Sequence, residues 1–336
     1  MATVKLKFGF SSKGSESRSR GVKVVRECNG RGRGKGISLL DYMGWQITLL
    51  KEANRLGTAN NYEKARRSIA EFLGGTQLPL SGLTEELIAD YNIFLVRRGL
   101  VRNSISFYMR ILRALYNKAV RQKLIEQSYP FTEVYTGVDH TRKRYVPEFV
   151  ISQLYSLDLP AGSNLELARD IFIFSYCMRG MAFVDIAYLK KCNLQNGMIY
   201  YTRRKSGQLL KVKVELCVKQ IMDRYISSNR QYIFPIVASD NAAEAYQQYK
   251  MALNSYNYLL GKLSEMLNCG YKLTSYTSRH SWATAALNHN VPISVISAGM
   301  GHTSEQTTRI YLASLENSII DDVNRGIIDV LQHGVL

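Results

Sequence analysis

Thr274-Ser-Tyr-Thr-Ser-Arg-His-Ser-Trp-Ala-Thr284, followed by Gly301-His302-Thr303-Ser-Glu-Gln-Thr-Thr-Arg-Ile-Tyr311, brings Arg279, His280, His302 and Tyr311 into one stretch of chain. Thr303 and Gln306 have the spacing of a capping box, which starts a helix there and carries Tyr311 about two turns past His302. Tyr311 is one of 22 tyrosines, so only its distance from His302 singles it out. His280 adjoins Arg279 but points about 100° away from it on a helix, which fits packing or support. No G-x-x-x-x-G-K-[ST], dinucleotide fingerprint, H-E-x-x-H or G-x-S-x-G occurs, which removes the commonest nucleotide, metal and hydrolase readings. What remains is a set of cations and a tyrosine.

Upstream, Cys177-Met-Arg-Gly-Met-Ala-Phe-Val-Asp-Ile-Ala-Tyr-Leu189 sets Arg179 in an otherwise apolar helical stretch. An unpaired buried guanidinium is costly, so Arg179 needs an anion or a partner. Asp185 supplies a partner by sequence, and a purely structural ion pair accounts for the motif as well as a ligand does. Between these segments, β-prone runs at 198–203 and 209–214 flank Lys205-Ser206-Gly207, a tight turn that presents one lysine.

The chain has 336 residues, enough for about two domains. Its 46% hydrophobic residues and six prolines point to a folded chain rather than a coil. The longest strongly apolar stretch, near 171–178, is far short of the roughly 20 residues a membrane span needs, and the first residues lack a signal-peptide core. An intracellular, cytoplasmic and nucleoid-associated protein is expected. Cys28, Cys177, Cys192, Cys217 and Cys269 lie far apart, with no C-x-x-C and no histidine at ligand spacing. That pattern encodes neither a disulfide framework nor a metal site.

Forty-four Lys and Arg against 27 Asp and Glu give a net charge of +17, suited to a polyanion. The excess is clustered: residues 1–36 hold ten basic residues and two acids, and residues 102–146 hold nine and three. Such clustering favours nucleic acid over a merely soluble surface. Residues 1–36, with Gly30-Arg-Gly-Arg-Gly-Lys-Gly36, read as a basic flexible segment in which alternating Val4, Leu6, Phe8 and Phe10 allow a short strand. Residues 37–128 read as four helices, near 39–56, from about 62 to Gly74-Gly75, 84–98 and 103–121. On the fourth, Ile105, Tyr108, Leu112, Leu115 and Ala119 share an apolar stripe. Asn103, Ser106, Arg110, Arg113, Asn117 and Arg121 lie opposite. That face carries no acid, which tilts the reading from a solvated surface towards phosphate contact by Arg110, Arg113 and Arg121. Residues 129–146 read as a basic linker through Arg142, Lys143 and Arg144. Residues 147–314 read as an α+β domain with a small sheet. Residues 315–336 carry Ile319, Ile320, Val323, Ile327, Val330 and Leu331 as an apolar stripe among acids, an amphipathic helix needing a protein groove.

Arg-His-Ser-Trp-Ala-Thr, then Gly-His, then Tyr nine residues beyond that His resembles the C-terminal signature of the tyrosine recombinase, or phage-integrase, family. The Arg179 segment, the Lys205 turn and the preceding helices follow the family's order over roughly residues 38–320. The forms Arg-Gly-Met-Ala-Phe-Val-Asp and Tyr-Thr-Ser-Arg-His-Ser-Trp look like the Bacteroidetes branch, which includes mobile-element integrases and DNA invertases. The resemblance implies a mainly α multidomain chain, with an N-terminal four-helix, SAM-like core-binding domain and an α+β catalytic domain. It implies that Arg179 and Arg279 grip the scissile phosphate, that Lys205 is the hairpin lysine, that His302 contacts or supports the phosphate, and that Tyr311 is the nucleophile. Paired guanidiniums suit a phosphate gaining charge, and a lysine suits proton donation to a departing hydroxyl, so no metal or cofactor is implied.

Two departures from the family pattern stand out. Tyr276 occupies a position usually held by His, and Ala182 stands where an acid commonly follows the first Arg, leaving Asp185 to brace Arg179 instead. The partners implied are double-stranded DNA, further copies of the chain (a dimer on each site, a tetramer in synapsis) and accessory DNA-bending proteins, with no membrane. Type IB topoisomerase-like nicking and resealing is the enzyme alternative. A DNA-binding regulator that has lost the chemistry is the other.

Overall fold

The computed structural model of the chain describes residues 36–139 and 145–312, and the chain divides into two compact units at Asp139 and His140. The N-terminal basic segment up to residue 35, the linker cations Arg142, Lys143 and Arg144, and the amphipathic segment 315–336 lie outside the described residues.

Among the described residues the first unit has four α-helices: α1 (Leu39–Glu52), α2 (Leu56–Leu73), α3 (Glu85–Arg97) and α4 (Arg102–Arg121). The first ends earlier than its apolar pattern suggests, because Asn54 turns the chain through a left-handed conformation (φ 54°). Gly74, also left-handed, stops α2, and the Thr84 hydroxyl caps α3 by accepting from Leu87 N–H. The stripes meet in a core of Leu39, Tyr42, Met43, Ile69, Ile88, Tyr91, Leu95, Met109, Leu112 and Leu115. Tyr91 is fully buried there, and its hydroxyl donates to Ser68 Oγ at 2.7 Å.

The polar face of α4 is partly covered rather than bare. Ser106 is buried and donates to Gly137 O, and Asn103 bonds the Asp139 backbone at both its N–H and its carbonyl. Arg113 Nη1 donates to Thr136 Oγ1 at 2.7 Å. Asp139 also lies 3.4 Å from Arg102, so the face that lacks an acid of its own receives one from the returning chain. Phe131 is buried in the same core, so the segment read as linker begins with residues packed on this unit.

The second unit holds α5 (Glu148–Tyr155), α6 (Asn164–Cys177), α7 (Phe183–Ala187), α8 (Leu216–Tyr225), α9 (Ala242–Leu267), α10 (Thr277–Asn288), α11 (Ile293–Met300) and α12 (Glu305–Leu312). Between α7 and α8, β1 (Leu194–Gln195), β2 (Met198–Thr202) and β3 (Leu209–Lys213) form an antiparallel sheet in that order. Ile199, Tyr201, Leu210 and Val212 turn inward, as the period of two requires. β1 pairs only two residues, too few for any periodicity to announce. No helix among the described residues is long and apolar enough to cross a membrane.

The polar sequence at α10 becomes a buried helix because its groups find partners inside. Ser278 Oγ meets Ser175 Oγ of α6 at 2.7 Å, and Ser281 Oγ accepts from Val146 N–H at 2.9 Å. Ser175 in turn donates to Met181 O, which fixes the turn after α6 against α10.

Candidate active site

Arg179 lies just beyond a helix rather than within one. α6 ends at Cys177, and Arg179 (φ 59°) and Gly180 (φ 70°) then both take the left-handed conformation. For Arg179 that conformation costs on the order of 1 kcal/mol. Its consequence is to turn the backbone towards α10: Gly180 packs so tightly that an added Cβ would lie 2.8 Å from Arg279 Cα. Gly180 is therefore required twice, for its φ and for the approach.

Arg279, 2% exposed, is held by Gly180, Met300 and His302. Nη1 donates to Gly180 O at 2.7 Å, and Nη2 donates to Met300 O at 2.7 Å and to His302 Nε2 at 3.0 Å. The guanidinium only donates, so His302 Nε2 accepts and its proton sits on Nδ1, which donates to Thr308 Oγ1 at 2.8 Å. Thr308 is fully buried on α12, one helical turn before Tyr311. A continuous chain of bonds thus runs from Gly180 through Arg279 and His302 to the helix that carries Tyr311.

Burial first, then the positive charges of Arg279, Arg203 and Lys205, lower the His302 pKa to about 4 from 6.5. The ring is neutral in the folded protein. An unfolded chain takes up a proton here near pH 6.5 while the folded one does not, so this contribution to stability is lost as pH falls from there towards 4. At pH 5 the loss is about 2 kcal/mol. Urea unfolding at pH 7.5 and 5.0 is expected to show a pH-dependent drop smaller by that amount in His302→Gln; equal drops would contradict a buried neutral ring.

Lys205 is exposed in the turn between β2 and β3, and its charge reaches His302. Arg203, two residues before it, turns the other way: it is 6% exposed and Nη1 donates to Gly301 O at 2.6 Å. Asp185 does not brace Arg179. Its Oδ1 accepts from Arg204 N–H at 2.9 Å, and it lies among Arg203, Arg279 and Arg204. Burial raises its pKa against the pull of that N–H and those charges. The reason is positional: Asp185 sits on α7, beyond the turn that carries Arg179, and so faces the hairpin. Burial raises the pKa of the inward Tyr201 of β2, and the charges of Asp185, Arg279, Arg203 and Arg179 all act on it.

Tyr276 precedes α10, 44% exposed, its ring 5.8 Å from that of His280. His280 is itself buried, consistent with packing. The Thr303–Gln306 capping box does not start the last helix: α12 begins at Glu305, directly after Ser304, whose carbonyl accepts from Thr307 N–H. Arg110, Arg113 and Arg121 belong to the first unit; Arg113 and Arg121 are exposed, and Arg110 is half-buried. Arg203 and Thr308 are not among the residues the sequence singles out. For Arg203 a signal exists, because 199, 201 and 203 alternate onto one strand face. For Thr308 there is none, since a threonine in a polar helical turn resembles any other.

Residues 38–134 match the phage integrase SAM-like domain, and residues 172–318 match the phage integrase family. Tyrosine recombinase XerD of Pseudomonas aeruginosa is 22% identical over 262 residues, covering 76% of this chain and 87% of that protein. Transposase B from transposon PsiTn554 of Staphylococcus aureus is 24% identical over 260 residues, covering 72% of this chain and 39% of its own length. Among solved structures, the Tn1549 transposon integrase in complex with a circular intermediate DNA superposes with a TM-score of 0.59 at 16% identity, over 82% of this chain and 94% of that one. A lambda integrase dimer bound to a COC′ core site gives 0.59 at 13% identity, over 82% and 95%. With one domain of the family matched in each unit, and in the family's order, the chain belongs to the phage integrase family of tyrosine recombinases.

Proposed function

We propose that the chain is a site-specific DNA recombinase that cuts and rejoins strands through a covalent 3′-phosphotyrosine. The observation that carries this reading is the Arg279 guanidinium, held by Gly180 O, Met300 O and His302 Nε2 against the turn that carries Arg179. Pre-set cations of this kind stabilise a phosphoryl group as it gains charge, with no reorganisation during the reaction. Arg179 and Arg279 contact the nonbridging oxygens. Tyr311 Oη attacks phosphorus and its proton is lost to water. The P–O5′ bond breaks, and the Lys205 ammonium gives O5′ a proton. The phosphodiester energy is kept in the tyrosyl ester, so a second 5′-hydroxyl reseals the strand. Neutral His302 fixes Arg279, and its bond to Thr308 sets the Tyr311 helix relative to that arginine. Tyr276 donates a hydrogen bond to phosphate at most, because a phenol takes up no proton near neutral pH.

Duplex DNA is the partner: the Tn1549 integrase neighbour is in complex with a circular intermediate DNA and the lambda integrase neighbour is bound to a COC′ core site, and the clustered charge of this chain supports the same class of partner. Arg110, Arg113 and Arg121 contact phosphates, each contributing about −0.9 to the slope of log K against log salt. Replacing all three with Gln is expected to flatten that slope by about 2 to 3; an unchanged slope would mean that the α4 face is only solvated. Arg142, Lys143 and Arg144 extend the same contact along the linker. Copies of the chain pair on each site and join as a tetramer, with the amphipathic segment 315–336 docking between protomers.

The DNA flanking the coding sequence, cloned as paired sites on a supercoiled plasmid, tests the function. Inversion of opposed sites and deletion between direct ones are expected. Relaxation without rearrangement would favour nicking and resealing instead, and binding without either would favour a regulator.

A further inference from the structure

We infer that Arg203 is a positioning residue for the Lys205 general acid, locking the β2–β3 turn onto the Gly301–His302 corner so that the lysine ammonium reaches the leaving oxygen. The inference rests on the reading of Lys205 as that acid.

Lys205 sits at the most mobile kind of place a catalytic group can occupy, an exposed turn whose other residues, Arg204, Ser206 and Gly207, are exposed too. Holding such a group within about 0.5 Å of a reacting atom requires supporting contacts. Arg203 supplies them from both backbone and side chain. Its N–H donates to Gln208 O and its carbonyl accepts from Gly207 N–H, both at 2.8 Å, which closes the turn. Its side chain then crosses to Gly301 O, 98 positions along the chain. Gly301 is left-handed (φ 65°) and lies so near β3 that an added Cβ would stand 2.8 Å from Leu210 Cδ1. The corner before His302 is thus seated on the base of the hairpin, and Arg203 is the polar fastening between them. Asp185 takes the neighbouring Arg204 N–H at 2.9 Å. The turn is held at two adjacent residues, and Lys205 is the next.

A bond to a backbone carbonyl at this separation is stronger for a guanidinium than for a neutral donor, and it fixes direction as well as distance. Arg203 touches neither the attacking nor the leaving atom in this account. Its loss should slow only the step that needs the Lys205 proton.

A DNA site in which sulfur replaces the bridging O5′ separates that step from the rest. A thiolate leaves without a proton, so a defect in proton donation vanishes on this substrate while a defect in phosphate binding or folding persists. The full chain is used, with single-turnover cleavage read on both substrates and gel shifts confirming that each variant binds. Lys205→Ala is expected to be slow on the oxygen substrate and close to wild type on the sulfur one. Arg203→Gln should follow it, about 100-fold slow on oxygen and within about threefold of wild type on sulfur. The double variant should be no slower on oxygen than Lys205→Ala by more than about threefold, since both changes act on one step. Arg203→Met keeps the stem and removes the donor, and Arg203→Lys keeps a cation; both are measured alongside, and Lys should recover part of the oxygen rate. Equal slowing of the Arg203 variants on both substrates, with Lys205→Ala rescued by sulfur, would overturn the inference alone. Failure of sulfur to rescue Lys205→Ala would overturn the general-acid reading and the inference with it.

Discussion

Tyr311→Phe is expected to eliminate covalent capture of DNA while leaving its affinity for the site within about twofold. The substitution removes one oxygen, which is the nucleophile, and no charge; affinity for duplex DNA comes mainly from cations that displace counterions, and these are untouched. Thr308 anchors α12 to His302, so the helix that carries position 311 keeps a fixing contact on a residue that the substitution leaves in place. Denaturing gels of a nicked suicide substrate read the adduct, and gel shifts read the affinity. An adduct formed by the Phe variant would move the nucleophile to another residue.

Arg279→Ala should lose both activity and stability, and the two losses have separate origins. Removing one fixed donor to a developing negative charge costs about 100- to 1000-fold, and a guanidinium supplies two, so cleavage should fall by at least about 1000-fold. The same deletion strips partners from Gly180 O, Met300 O and His302 Nε2, all enclosed, at roughly 1 to 3 kcal/mol for each group left unsatisfied. Urea unfolding should therefore show a loss of several kcal/mol, on the order of 3 to 5. Arg279→Lys keeps the charge but not the fork that reaches two carbonyls and the imidazole, and should lie between the two. A fully stable Ala variant that cleaves within about tenfold of wild type would mean that Arg279 neither organises the corner nor meets the phosphate.

The helices of the first unit are legible because each buries one stripe: Leu112, Leu115 and Ala119 on α4 are spaced for a core, and all three are fully buried. Its ends are less so, since Asn54 breaks α1 through a backbone choice that leaves no mark in the apolar pattern. The site was readable as a set of residue types in order. Its connections were not, because they run between positions far apart in sequence and through backbone atoms: Arg279 to Gly180 O, Arg203 to Gly301 O, Asp185 to Arg204 N–H. Asp185 shows the limit most clearly. Spacing from Arg179 made it a plausible helical partner, but the chain leaves the helix at Met178 and two left-handed residues redirect it, which hands Asp185 to the hairpin. The α4 face shows another limit, as its apparent lack of acids held only until residues 136–139 folded back over it.

The central claim is that the chain joins itself to a DNA 3′-phosphate through Tyr311. The most direct measurement captures the protein on a nicked suicide substrate, digests both components and sequences the modified peptide by mass spectrometry. The expected result is one peptide spanning Tyr311, with the nucleotide remnant on its phenolic oxygen and the released strand ending in a free 5′-hydroxyl. A remnant on any other residue, a bond through a 5′-phosphate, or cleavage with no protein attached would contradict the account.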